Sequence, residues 1–547
     1  MSADFLSTSQ RSDLMRRVKS SGTAPERALT GALRRLGARP TRHAKDLPGA
    51  PDLAFKRDAV ACFIDGELWH GDQWRRRGLP NLEAQFRGGK DPEYWVEKVH
   101  RNIERDIRAT ADLLERGWTV LRFWESDVLE DPDACARRLL DAREGRADPD
   151  PLAVAATGVS ADFFAGIGLM RLGLKGAGWR TVWANDYDAT KRRLYLHNLK
   201  GERVTLDDRP IQDVRPDDVP DVALMAACFP CTDLSLAGKR RGIEHGPQSS
   251  AYLAFADLLD ARADRRPPFV VLENVVGLVN SHDGADFRIC LDRLASAGYR
   301  IDSVAIDARH FVPQSRPRLF VVGVRADLDD VPTLTPEHLD PDDPLRPQRL
   351  REFMRANPDL PWALRPMPEL PSRATTLVDV LEDLPDTDPA WWSPERVEKL
   401  RAQVSERHLD MIRARREQGL VVHATAFRRM RKGRSMAELR FDGVAGCLRT
   451  PKGGSAKQIL VRVDDTGWRV RLLTPRECSR LMGADGMKKD GSYKKGAEFR
   501  LDAEGVSRDD ALFGFGDAVA PPAVSWLIRQ RVNPVVCGLL RGRVLRR

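Results

Sequence analysis

The chain has 547 residues, of which 42% are hydrophobic and 31% charged, with 89 Lys and Arg against 80 Asp and Glu for a formal net charge of +9. That length predicts three to four globular domains with room for a sizeable core, and the composition excludes a disordered chain. The positive excess admits a nucleic-acid partner without requiring one, since residues 1–150 hold 27 basic and 26 acidic side chains.

The eight cysteines, at 62, 135, 228, 231, 290, 447, 478 and 537, are too sparse for a disulfide framework. The Cys228–Cys231 pair has no second Cys/His pair at ligand spacing, which argues against zinc there. With no apolar h-region at the N-terminus and no window approaching 18 apolar residues, a cytoplasmic protein without a membrane segment is expected.

In chain order, Pro51–Phe55 and Ala59–Asp65 read as adjacent strands joined by the turn Lys56-Arg57-Asp58. Val99, Ile103, Ile107, Leu113 and Leu114 predict a helix over 96–116, ended by Gly117, and Thr119–Trp124 resumes as a strand. Asp141–Pro151 is polar and proline-bearing, as in a linker. From Ser160 the pattern is strand, helix, strand, repeated, which predicts a mostly parallel sheet with strands ending at Asp162, Asn185, Cys228, Glu273 and Val324. Between about 326 and 440 prolines cluster and the rhythm is lost, as expected of an inserted module. The sheet pattern returns near Ile459–Val463, and a helix is expected over 521–531.

Asp162-Phe163-Phe164-Ala165-Gly166-Ile167-Gly168 follows one strand and opens a helix, a turn whose glycines let backbone amides approach a ligand. The next strand ends in Asp186-Tyr187, and an acid there can bind both ribose hydroxyls. Further on come Pro230-Cys231, Glu273-Asn274-Val275 and Gln314-Ser315-Arg316-Pro317-Arg318. Arg471–Cys478 and Phe515-Gly516-Asp517-Ala518-Val519 complete the order. A thiol, a carboxylate and guanidiniums at strand ends suit attack on a heteroaromatic ring.

Over residues 160 to about 540 this set resembles the DNA (cytosine-5) methyltransferases. The resemblance implies S-adenosylmethionine as cofactor, held by Phe164, Gly166, Gly168, Asp186, Tyr187, Asp213, Pro230, Asp517 and Val519. It implies Cys231 as the nucleophile, Glu273 as the acid at the base, Arg318 at the cytosine O2 and Arg316 supporting the Cys231 region. Three positions depart from the usual pattern: Cys228 for glycine, Asp186 where Glu is commoner, and Asp517 for Asn. The target base has to leave the duplex stack. Lys239, Arg240 and Arg241 are candidates for phosphate contacts, or equally a solvated charge run.

Ahead of this, Pro51-Asp52 and Asp65-Gly66-Glu67 put acids at two adjacent strand ends, able to share a hard cation such as Mg²⁺ that also holds a phosphate oxygen. Leu68-Trp69-His70-Gly71 follows at once. With Trp95, Asn102–Asp106, Gly117-Trp118 and Phe123-Trp124-Glu125, residues 10–130 look like the very-short-patch mismatch repair endonucleases. That resemblance implies Asp52 and His70 as catalytic, Asp52 and Asp65 as metal positions, Glu26 and Asp106 as accessory acids, and Trp69 and Trp95 as wedges into DNA. Asp65 stands where the family has a second histidine. Asp72, Gln73, Trp74 and Ser126 stand near the family's zinc ligands, so no zinc is expected.

The expected architecture is α/β throughout. Residues 1–145 form a restriction-endonuclease-like domain and 146–158 a linker. Residues 159–328 and 442–540 form a Rossmann-like methyltransferase sheet, and 329–441 an inserted target-recognition region. The expected partner is double-stranded DNA; oligomeric state has no signal. Two purposes suit the fusion: nicking of T·G mismatches at the methylated site, or restriction of unmethylated DNA. A leading domain that only binds DNA is a third possibility.

Overall fold

A computed structural model of the chain describes residues 21–147, 155, 157–230, 250–328, 334–431, 433–450, 457–486 and 496–546. Three sheets organise them. The N-terminal sheet contains β1 (Thr41–Arg42), β2 (Leu53–Phe55), β3 (Val60–Asp65) and β4 (Thr119–Trp124). β2 and β3 are antiparallel across the expected turn, and β4 runs parallel to β3 after the helix Pro92–Glu115. This return in the same direction is the connection a parallel pair requires.

The second sheet contains β5 (Val159–Phe163), β6 (Arg180–Asn185), β7 (Thr205–Asp207), β8 (Leu224–Ala227), β9 (Phe269–Val275), β10 (Tyr299–Asp307) and β11 (Pro317–Arg325). Their order is β10-β11-β9-β8-β5-β6-β7, parallel from β9 to β7 with β10 and β11 antiparallel. The near-continuous apolar runs of β8 and β9 match strands covered on both faces. Strand order reverses beside β5, and crevices at such a reversal, outside the carboxyl ends of the strands, are where doubly wound sheets bind ligands.

The third sheet, β12 (Val422–Arg431), β13 (Arg434–Arg440), β14 (Ile459–Asp464) and β15 (Gly467–Leu472), has the order β13-β12-β14-β15. The strand expected to rejoin the central sheet near Ile459 therefore pairs with β12 instead. The apolar, β-branched residues mark a strand, but such a run does not name the neighbour. The first part of the proline-bearing stretch is packed against the central sheet. Leu339, Leu350, Met354, Leu360 and Leu364 pack into the core beneath the central sheet, and Arg346 ion-pairs with Asp302 of β10 at 2.8 Å.

A last strand, β16 (Val544–Leu545), pairs antiparallel with β4 and so edges the N-terminal sheet from the far end of the chain. One apolar core joins the two regions: Phe63, Trp74, Ile103 and Ile107 cluster with Met170, Leu174, Trp179, Val535 and Leu539. At this seam Gly178, at φ +93°, lies so close that a Cβ would stand 2.9 Å from Glu104 Cα. The stretch Arg508–Arg531 is long and apolar enough to cross a membrane, contrary to expectation. It is broken at Ala518–Ala520 into the helices Arg508–Asp517 and Pro521–Arg531 and is mostly buried in the protein.

Candidate active sites

At the carboxyl end of β9, Glu273 is buried and Arg318 of the adjacent β11 sets its Nε 2.9 Å from Glu273 Oε1. The register pairs Glu273 with Phe320, so Arg318, two residues earlier, shares its face. Burial pushes the Glu273 carboxyl up, and Arg318, Arg316 and a hydrogen bond with the Cys228 thiol offset part of this. Asn274 Nδ2 donates to the Phe229 carbonyl at 3.1 Å, tying the start of the Pro230 turn to β9. Cys231, Lys239, Arg240 and Arg241 lie outside the described residues.

Arg316 is held by backbone carbonyls. Its guanidinium donates to the carbonyls of Leu448 and Gly516, each at 2.8 Å, and to that of Ala518. It also lies 3.4 Å from Cys447 Sγ. Buried and lowered in pKa by that burial and by Arg318, it clamps the segment carrying Asp517 and Val519 against the strand that holds Arg318. Burial raises the Cys447 thiol, but Arg316, Arg318 and Arg449 together hold it below its usual range.

The glycine turn after β5 forms one wall of a second cluster. Phe164 adopts φ +56° and Gly168 φ +87°, and a Cβ on Gly168 would stand 2.9 Å from the Tyr195 ring. Gly166 N donates to Asp186 Oδ2 at 2.8 Å and Asp188 N to Oδ1 at 2.9 Å, while Tyr187 is 65% exposed. Asp213 ends the 3-10 turn Ile211–Asp213 and is exposed. Asp517 pairs with Lys191 at 2.8 Å. Asp162 was read only as part of the turn. It is fully buried, neither of its oxygens makes a well-formed hydrogen bond among the described residues, and burial pushes its carboxyl up to about 8 despite the nearby Arg171. An unsatisfied buried carboxyl beside a glycine turn and a ribose-type acid fits a ligand that is cationic at one end and carries a nucleoside at the other.

Among the described residues of the N-terminal domain, two groups of three could hold a metal: Glu26, His43 and Asp52, and Asp65, His70 and Asp106. Asp52 and Asp65 fall in different groups. Thr23 caps the helix Ala24–Arg35 and puts Glu26 at its third position, where Glu26 Oε2 accepts from Gly22 N at 2.8 Å. His43 Nε2 stands 3.2 Å from Glu26 Oε2 without a well-formed hydrogen bond. Asp52 accepts from Ile64 N at 2.8 Å, and its burial raises it to about 6.

Asp65, by contrast, has both oxygens taken by cations. Arg122 Nε reaches Oδ2 at 2.7 Å and Nη2 reaches Oδ1 at 2.8 Å, and Arg541 Nη2 lies 3.1 Å from Oδ2. His70 Nδ1 lies 2.5 Å from Asp106 Oδ2. Trp69 and Trp95 stand 5.7 Å apart between ring centroids, with Lys98 Nζ 4.7 and 5.0 Å from the two rings. Near the family's zinc positions Arg76 bonds Asp72 at 2.9 Å and Ser126 Oγ at 2.9 Å, and Glu67 accepts from Ser126 N at 3.2 Å. His43, Arg122 and Arg541 carried no sequence signal: the two arginines are single cations among 89 basic residues, meaningful only once folding brings them to acids.

Residues 159–532, more than half of the chain, match the family described as C-5 cytosine-specific DNA methylase. The chain belongs to that family. Residues 3–76 match the family described as DNA mismatch endonuclease Vsr. Over 139 residues the chain is 41% identical to the Type II nicking enzyme V.NmeDIP of Neisseria meningitidis serogroup C, covering 25% of this chain and 89% of that protein. V.HpaIIP of Haemophilus parainfluenzae, another Type II nicking enzyme, is 38% identical over 131 residues, 24% of this chain and 88% of that protein. The Type II methyltransferase M.Bsp6I of Bacillus sp. (strain RFL6) is 36% identical over 168 residues, 30% of this chain and 51% of its own length. The match thus spans about half of that methyltransferase. The chain is a methylase domain preceded by a Vsr-type nuclease domain, as the two sets of sequence motifs implied.

Proposed function

We propose that the methylase domain transfers a methyl group to carbon 5 of a cytosine flipped from double-stranded DNA, and that the nuclease domain nicks DNA at T·G mismatches arising at the same site. The observation that carries the first part is the buried Glu273–Arg318 pair beside the Phe229–Pro230 turn that leads into Cys231. The Cys231 thiolate forms a bond to carbon 6 while Glu273, raised toward its protonated form, gives its proton to N3. Arg318 holds the exocyclic oxygen, and electron density moves to carbon 5. S-adenosylmethionine, when bound, supplies the methyl group that carbon 5 accepts. A base then removes the carbon 5 proton, the carbon 6–sulfur bond breaks to release the thiolate, and the N3 proton returns to Glu273.

For the cofactor, Asp162 would receive the cationic amino group, Asp186 the ribose hydroxyls and Phe164 and Tyr187 the adenine, with Gly166 and Gly168 giving backbone access. Pro230, Asp213, Asp517 and Val519 complete the expected wall. In the nuclease domain, Glu26, His43 and Asp52 fit a hard cation such as Mg²⁺, which when bound would polarise the scissile phosphate. Asp65 is better suited to ordering His70 than to holding that ion, since guanidiniums occupy both its oxygens. No zinc is called for, because Arg76 cross-links Glu67, Asp72 and Ser126.

A duplex carrying 5-fluorocytosine at the target tests the methylase reading. Fluorine cannot leave carbon 5 as a proton does, so a stable adduct on Cys231 is expected by mass spectrometry. Turnover without any adduct would refute the covalent route.

A further inference from the structure

The segment that follows the matched methylase region, residues 533–545, is built into the nuclease domain. After the helix Pro521–Arg531, the helix Asn533–Leu540 lies along the seam, and β16 hydrogen-bonds to β4 with Val544 opposite Leu121. Gly542 N donates to the Arg122 carbonyl at 2.8 Å. Between helix and strand, Arg541 enters the nuclease interior with a side chain only 2% exposed. Its Nη2 lies 3.1 Å from Asp65 Oδ2 and 3.0 Å from Asp106 Oδ2, its Nη1 donates to the Cys537 carbonyl at 2.9 Å, and its guanidinium covers the Trp124 ring at 4.4 Å. Cys537 Sγ in turn donates to the His70 carbonyl at 2.9 Å.

Two features make this more than a domain contact. First, two buried carboxylates, Asp65 and Asp106, face two buried guanidiniums, Arg122 and Arg541, around His70. Removing Arg541 takes one of these cations away from carboxylates that water cannot screen. Second, Arg541 and His70 share the same atom, Asp106 Oδ2. The position of that oxygen, and so the aim of the imidazole, depends on the guanidinium.

We infer that Arg541 is a positioning residue of the nuclease, supplied by the segment that follows the methylase domain, so that nicking depends on the docking of that segment. The metal site proposed above is Glu26, His43 and Asp52; Arg541 acts instead through Asp65 and Asp106 on His70. The inference rests on the nuclease reading proposed above.

The test uses the full-length protein with Arg541→Met, Arg541→Lys and wild type, measuring Mg²⁺-dependent nicking of a T·G duplex beside methyl transfer to the same sequence. Arg541→Met should lower kcat for nicking at least tenfold, with KM for the duplex and the methyl-transfer rate within twofold of wild type. Arg541→Lys, which restores the charge but not the two-acid fork, should recover part of that loss. Wild-type nicking by Arg541→Met would overturn the inference, as would equal losses in the Met and Lys variants that track a common fall in thermal midpoint. If Arg541→Met loses methyl transfer as well, Arg541→Lys decides alone: intact methyl transfer with nicking reduced at least threefold supports positioning, and unreduced nicking refutes it. A wild-type protein that never nicks would overturn the nuclease reading itself, and the inference with it.

Discussion

Arg318 Nε lies 2.9 Å from Glu273 Oε1, joining β11 to β9 through a pair whose carboxylate and guanidinium are both largely withdrawn from water. The pair does two things at once. It keeps a carboxyl that burial would leave neutral within reach of ionisation, and it fixes that carboxyl at the strand end where the Cys231 loop begins.

Breaking the pair should therefore separate chemistry from stability. Glu273→Gln keeps the shape but removes the proton, and should lower methyl transfer by about 10²–10⁴-fold. Arg318→Ala leaves a buried carboxylate unpaired and should destabilise the protein by about 3–5 kcal/mol. The double substitution should recover part of that loss, as read by denaturant unfolding in a double-mutant cycle. Additive losses would mean the two groups are not coupled.

Cys231→Ser should abolish methyl transfer while binding of the target duplex persists, read by a radiolabel assay beside a gel shift. A hydroxyl is far less ionised than a thiol at neutral pH and cannot replace the thiolate. Retained transfer would remove Cys231 from the mechanism.

Asp162 yields a pH prediction with a definite sign. Its carboxyl rises from the usual 3.8 to about 8 in the folded protein. The folded state keeps a proton that the unfolded chain has lost, so this contribution to stability is full below pH 3.8 and is lost as pH rises through about 8. Asp162→Asn should flatten the decline in denaturant midpoint between pH 4 and 8. A cationic amino group prefers the ionised acid, so S-adenosylmethionine should bind wild type more tightly as pH rises from 6 to 8, by at most tenfold per unit. Calorimetry at three pH values checks this, and a flat profile would place Asp162 outside the cofactor site.

Asp52 should set the acid limit of nicking. Burial raises it to about 6, so below that pH it is protonated and loses affinity for a cation. In the metal-free protein its stability contribution has the same sign as that of Asp162: full below 3.8 and lost as pH rises through about 6. Asp52→Ala should remove Mg²⁺-dependent cleavage, and His43→Ala should weaken the Mg²⁺ dependence of the rate. Nicking by Asp52→Ala at the wild-type rate would show that the metal lies elsewhere.

Much of this molecule was legible in its sequence where the signal is local. Glu273, Asp186 and the glycine turn sit at strand ends that alternation and apolar runs mark, and β2, β3 and β4 formed where their residues predicted. What stayed hidden depends on distant partners. β14 reads as a strand in any sheet, and only folding chose β12 as its neighbour. Arg316 is held by three carbonyl groups distant in sequence, which no local pattern announces. Asp65 looked like half of a metal pair because adjacent strand ends suggest one. Folding groups it with His70 and Asp106 rather than with Asp52, and brings Arg122, 57 residues later, and Arg541, 476 residues later, to it.

A single chain that methylates a cytosine and nicks the mismatch left when that methylated base deaminates must show both activities on one sequence. The most direct measurement offers the purified full-length protein, with Mg²⁺, three duplexes of its own methylation sequence: fully paired and unmethylated, fully paired and methylated, and carrying T·G at the target. The account predicts a single-strand nick confined to the T·G duplex and beside the thymine. Double-strand cleavage of the unmethylated duplex, with the methylated one spared, would contradict it and make the nuclease domain a restriction enzyme.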